Sequence, residues 1–290
     1  MAAAKKIPSW IKLLLKLAVT VFSLWYVSNK TDWGKSLITI KQADIWWLAI
    51  ATVLFTASKI VSSFRLNVYF SNINLRLSQK ANLKLYWLGM FYNLFLPGGI
   101  GGDAYKVILL NKTYQQPAKL LTAAVLLDRI SGVTGLGILA AVYYYFVFDG
   151  GNYSLPLVAG ILPGLFIYYL LTRKFFPSFI KSFWPALWMG LAVQGLQILC
   201  AYSIMQCLHL YEHSTEYILI FLLSSIVAIL PFTIGGLGAR ELVFLWGSTQ
   251  FVLNNEESVS ISLLFYLITV LISMIGVYWV YKNPLKAEIK

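Results

Sequence analysis

The chain has 290 residues, of which 59% are hydrophobic and 12% charged, with 10 Trp, 18 Tyr and 18 Phe. A soluble domain carries about twice that charge fraction. Roughly eight apolar stretches consume most of the length, which excludes soluble Rossmann, barrel and nucleic-acid-binding folds and implies an integral membrane protein without a separate soluble domain.

The net charge of +12, from 23 Lys and Arg against 11 Asp and Glu, then reports membrane orientation rather than a nucleic-acid partner. Lys5, Lys6, Lys12 and Lys16 precede the first apolar run, as in a signal peptide, but no small-residue cleavage site follows it. A retained first helix is expected over 13–28. Further spans are expected at 45–64, 120–148, 154–172, 183–208 and 260–281, each long enough to cross a bilayer. Cys200 and Cys207 lie seven residues apart on one helix, about 10 Å at 1.5 Å per residue, too far for a disulfide within it.

Two more apolar regions are interrupted. Residues 82–112 contain Leu96-Pro97-Gly98-Gly99-Ile100-Gly101-Gly102-Asp103, and 217–250 contain Leu230-Pro231 followed by Gly235-Gly236-Leu237-Gly238. Proline removes a backbone donor and glycine weakens a helix, so both regions should break midway. If each break turns the chain back as a hairpin, 17 Lys and Arg fall on one side of the membrane and 3 on the other, with Lys59, Arg129 and Arg240 inside it; if both regions cross, the division is 11 against 9. The positive-inside bias selects hairpins, with both termini cytoplasmic in a multi-pass protein of the inner (cytoplasmic) cell membrane.

Residues 1–150 and 151–290 then share one order of parts: span, span, broken hairpin, span. The expected fold is all-α and polytopic, with six spanning helices and two re-entrant hairpins arranged as an inverted-topology repeat. In such repeats, interrupted segments in corresponding positions point to a substrate site near the midplane.

The breaks also concentrate the chemistry. Gly98, Gly99, Gly101 and Gly102 precede a helix starting near Asp103, whose free amides and dipole favour an anion such as phosphate, with Lys106 one turn on. Alternatively, the glycines serve close helix packing and Asp103 is an N-cap. Gly235, Gly236 and Gly238 form the second break, followed by Arg240 and Glu241. Asp128 and Arg129 lie deep in a span, where charge is costly and points to function. Neighbours in sequence do not face each other on a helix, so these charges need other partners, such as Arg129 with Asp103 or Arg240 with Asp128. Either arginine could instead hold a lipid phosphate in its planar fork, or the charges could form a structural network. Lys59 is expected to snorkel from the inner end of its helix.

His209-Leu-Tyr-Glu212-His213 matches a zinc-binding spacing, but it falls where a span runs into an outer loop and reads better as an interfacial pair. There is no Walker loop, nucleophile elbow or cysteine-pair metal site. The expectation is a non-enzymatic protein without cofactor or metal.

Three segments in order, Phe91-Tyr92-Asn93 through Asp103, Leu127-Asp128-Arg129-Ile130-Ser131-Gly132, and Leu230-Pro231 through Arg240-Glu241, resemble the lysylphosphatidylglycerol synthase transmembrane region family. The resemblance covers nearly the whole chain. It implies translocation of a lipid, or association with glycolipid or cell-envelope lipid synthesis, the rival to translocation being a membrane-embedded enzyme or accessory subunit of that synthesis, and it places Asp103, Arg129, Arg240 and Glu241 at motif positions. Members that aminoacylate lipid carry a soluble synthase domain absent from this sequence, so aminoacyl-lipid synthesis is not expected. The partner expected is an anionic phospholipid or polyprenyl-phosphate-linked lipid.

Overall fold

A computed structural model describes residues 9–95, 101–151, 153–230, 233 and 236–285, with only the backbone of 9–13, 15, 16 and 95. Among these residues all regular structure is helical: α1 (Ser9–Lys30), α2 (Trp33–Lys41), α3 (Ile45–Ser71), α4 (Gln79–Phe95), α5 (Gly101–Tyr114), α6 (Ala118–Val147), α7 (Ser154–Ala159), α8 (Ile161–Phe175), a 3-10 turn (Pro177–Ser182), α9 (Phe183–Cys207), α10 (Ser214–Ile229), α11 (Ala239–Gln250), α12 (Asn255–Met274) and α13 (Val277–Tyr281). Five segments are long and apolar enough to cross a membrane: α3, α6, α7–α8, the 3-10 turn with α9, and α12–α13. The sixth expected span corresponds to the 22-residue α1, which is not among those five. Short polar side chains set several starts. Asp44 accepts from the Trp46 amide at 2.8 Å and Asn254 from the Glu257 amide at 3.1 Å, each satisfying an otherwise orphaned N–H of a first turn.

The two interrupted regions fold back. α4 and α5, of 17 and 14 residues, and α10 and α11, of 16 and 12, are each shorter than the roughly 20 residues a spanning helix needs. In one continuous helix Gly89 and Gly102 would stand about 20 Å apart. Here they touch: a Cβ on Gly102 would lie 1.9 Å from the Gly89 carbonyl oxygen. The Gly102 amide donates to Asn93 Oδ1 at 2.9 Å, pinning the return. In the second hairpin a Cβ on Gly247 would come within 2.5 Å of Ile220. Small residues at these crossings bring backbones close, and van der Waals contact then holds helices that gain little hydrophobic drive from lipid.

The halves follow one packing plan. α3 lies along α9. Each contact of α4 with α5, α5 with α6, α3 with α4, α3 with α6, α6 with α9 and α6 with α10 has a counterpart in α10 with α11, α11 with α12, α9 with α10, α9 with α12, α12 with α3 and α12 with α4. The correspondence fails at the periphery. α1 packs on α11, and a Cβ on Gly238 would sit 2.8 Å from Ser23. The α7–α8 segment makes no comparable contact with α5; α8 rests on α7, on the 3-10 turn and, through Tyr168 and Tyr169, on Phe183.

The last span departs from one helix at Ile275-Gly276. A Cβ on Gly276 would fall 2.3 Å from the Trp87 carbonyl oxygen, so α4 crosses the end of α12 in backbone contact. An apolar core joins α3, α9, α10 and α12 through Phe55, Phe221 and Phe265, which meet edge to face.

Candidate functional site

Asp128 and Arg129, adjacent on α6, point to different partners. Asp128 Oδ1 accepts from Arg65 Nε of α3 at 2.7 Å, and the two residues are 7% and 5% exposed. Asp128 is therefore paired with Arg65 and not, as the sequence suggested, with Arg240. Glycine makes room for the guanidinium, since a Cβ on Gly132 would lie 3.1 Å from Arg65 Nη1. Arg65 was missed because the apolar run was expected to end at 64, whereas α3 continues to Ser71 and buries Leu66, Tyr69 and Phe70. That helical periodicity beyond Arg65 was the available signal.

Arg129 turns to the first hairpin, as the sequence suggested. Its Nε donates to Asp103 Oδ2, and Asp103 Oδ1 takes Lys106 Nζ at 3.1 Å. Lys106 is 4% exposed, with its ammonium 4.5 Å from the centre of the Tyr86 ring. Asp103 and Lys106 are one turn apart in the first turns of α5, where a carboxylate also meets the favourable end of the helix dipole. One carboxylate between two cations leaves this cluster positively charged.

Arg240 and Glu241 diverge as well. Glu241 is fully buried. Its Oε2 accepts from the Gly238 amide at 2.7 Å and its Oε1 from Ser262 Oγ at 2.9 Å, so the carboxylate reaches back over the start of α11 to satisfy the N-cap amide. Gly236 and Gly238 both have φ +83°, a left-handed conformation that glycine adopts without steric cost. Arg240 Nη1 donates to Ser225 Oγ at 3.1 Å, and its guanidinium carbon lies 4.9 Å from the centre of the Phe265 ring.

The hairpin ends enclose a cavity of about 280 Å³. Asn93 and Leu94 of α4, Leu230, Thr233 and Gly236 of the second turn, Thr269 and Ser273 of α12, Arg129 and Lys59 line it. Among the described residues Thr233 Oγ1 is buried without a hydrogen-bond partner. Lys59 does not snorkel outward. It stands at the middle of the 27-residue α3, and its ammonium lies 4.4 Å from the centre of the Phe55 ring. Counted together, Lys59, Arg65, Lys106, Arg129 and Arg240 exceed Asp103, Asp128 and Glu241 by two positive charges.

The glycines of the breaks divide. Gly102 packs against Gly89, with its amide already taken by Asn93; Gly101 opens α5; Gly236 lines the cavity; Gly238 seats α1. Gly98, Gly99 and Gly235 lie outside the described residues. The histidines occupy the α9–α10 loop with separate neighbours, His209 Nδ1 at 3.2 Å from the Tyr211 hydroxyl and His213 Nδ1 at 3.5 Å from Glu216 Oε1.

Long apolar helices and two broken hairpins around a cationic cavity define a multi-pass α-helical membrane protein with a charged interior. The chain belongs to the lysylphosphatidylglycerol synthase TM region family, whose model matches residues 13–276. It is also similar to the UPF0104 membrane protein PH1989 of Pyrococcus horikoshii, at 21% identity over 169 residues, or 58% of this chain and 49% of that protein. The matched part thus spans about half the length of that relative. No solved structure matches the chain.

Proposed function

We propose that the protein translocates an anionic phospholipid or polyprenyl-phosphate-linked lipid, binding its phosphate in the cavity between the hairpins and carrying out no covalent chemistry. The observation that carries this reading is the positive surplus of the cavity wall, where Lys59 and Arg129 stand and Asp103, Asp128 and Glu241 do not. A phosphate satisfies such a surplus, and the planar fork of an arginine suits its oxygens. An amphiphile can leave its chains in the bilayer while its headgroup crosses the polar interior.

The packing plan common to both halves supports an inverted repeat, residues 1–150 and 151–290, in which one half rocks against the other to alternate access. The orientation we favour places both termini in the cytoplasm. Arg65 and Lys106, buried in ion pairs, leave the positive-inside count, yet the remaining 15 against 3 keep its direction.

The test is transport of fluorescent phosphatidylglycerol in vesicles containing purified protein, comparing the wild type with Arg129→Gln and Arg240→Gln. The expected result is accelerated movement, reduced about tenfold by Arg129→Gln, which removes about 1.4 kcal/mol of phosphate binding, and less by Arg240→Gln. Equal rates in all three would remove the cavity from transport. Lipid retained without movement would favour an accessory role beside lipid-synthesis enzymes.

A further inference from the structure

Arg129 borders two spaces. Besides the central cavity, it lines with Asp103 one end of an apolar groove of about 380 Å³ between α5 and α6. The groove walls are Val107 and Ile108 of α5 with Val125 and Leu126 of α6. Thr122 and Leu126 are shared with a second hollow of about 220 Å³, which continues to Lys119, to Phe175 at the end of α8 and to Phe179 in the 3-10 turn after it. From Arg129 to Lys119 along α6 is about 15 Å, half the thickness of a bilayer's hydrocarbon core.

The groove is open because the packing plan lapses there. The second hairpin has α1 against α11, whereas α5 has no comparable cover from α7–α8. Ile108 and Leu126 are consequently 53% and 45% exposed. An uncovered groove at membrane depth faces hydrocarbon, and this one has cationic side chains at both ends, Arg129 within and the exposed Lys119 at the mouth.

We propose that the α5–α6 groove is the lateral entrance of the cavity, holding a hydrocarbon chain of the phosphate-bearing lipid while its headgroup passes from Lys119 toward Arg129. The inference rests on the lipid-translocation reading and adds a route and a chain-binding site to it. Arg129 and Asp103 form the partition between groove and cavity, so an arriving phosphate competes with Asp103 for the guanidinium.

The experiment uses the full chain in phosphatidylcholine vesicles doped with phosphatidylglycerol bearing a photoreactive group near the end of one acyl chain, with labelled peptides mapped by mass spectrometry. Labelling is expected to concentrate at 104–108 and 122–126, at least fivefold above the exposed α8 face around Leu162 and Phe166. Leu126→Trp, at a half-exposed position that tolerates bulk, should suppress it, and a photoreactive phosphatidylcholine should not reproduce it. Labelling spread evenly over α8 and the groove, or unaltered by Leu126→Trp, would overturn the entrance. Lipid retention lost in Arg129→Gln alongside even labelling would sink the groove and keep the headgroup site; retention and labelling both indifferent to Arg129→Gln would sink both.

Discussion

Two arginine–aspartate pairs meet on α6, and they differ in everything except composition. Arg65–Asp128 is sealed among α3, α6 and α9 and balanced one to one, with side-chain exposures of 6% and 10%. Arg129–Asp103 is shared with Lys106, carries an excess cation, and leaves the Arg129 side chain 31% exposed between cavity and groove. Side chains adjacent in sequence have thus been turned to opposite uses by the 100° step of the helix. Buried charge alone does not single out a candidate site; the proposed site is distinguished by unbalanced charge bordering open space.

The sharpest way to break this contrast is Arg65→Met, which leaves Asp128 buried without its cation. The expected cost is about 3–5 kcal/mol, since removing one partner strands an uncompensated charge, read as a lowered unfolding midpoint in detergent. Adding Asp128→Leu should recover most of the loss; failure to recover would mean that Arg65 has a further essential partner. Gly102→Ala comes next. It forces a Cβ into the Gly89 carbonyl, and overpacking of this kind costs about 1–3 kcal/mol. Its unfolding midpoint should fall, while the sealed pair keeps the protection of α3 and α6 amides from hydrogen exchange. Uniform loss of protection would show that the first hairpin is not a separable unit. The smallest stability effect is expected for Arg129→Gln, about 1 kcal/mol or less, because Asp103 retains Lys106 and partial exposure screens the pair. A midpoint depressed as far as that of Arg65→Met would erase the distinction between the two pairs.

The sequence reveals the hairpins well because proline and clustered glycine are local signals, and backbone breaks are local events. It also reveals the pairing of Arg129 with Asp103, because each residue stood out as a charge at membrane depth. Arg65 and Lys59 were hidden by one mistake about length. Once α3 was expected to end at residue 64, the arginine became a loop residue and the lysine a terminal one, whereas the 27-residue helix places the first in the core and the second on the cavity. The role of Glu241 was illegible for another reason. A carboxylate three residues after a glycine serves equally as a cap, a counter-ion or a proton carrier, and the choice depends on where Gly238 and Ser262 stand in space. The open side of α5 depends on which helices pack together across the two halves, which no local pattern records.

Gly276 lies outside the cavity yet sets one of its dimensions. Ser273, one turn before it, and Met90, one turn after Trp87, are facing wall residues, so the contact between Gly276 and the Trp87 carbonyl works as the pivot of a pair of calipers. The thickness of a single hydrogen atom there limits how closely α4 and α12 approach, and therefore the width of the chamber between them.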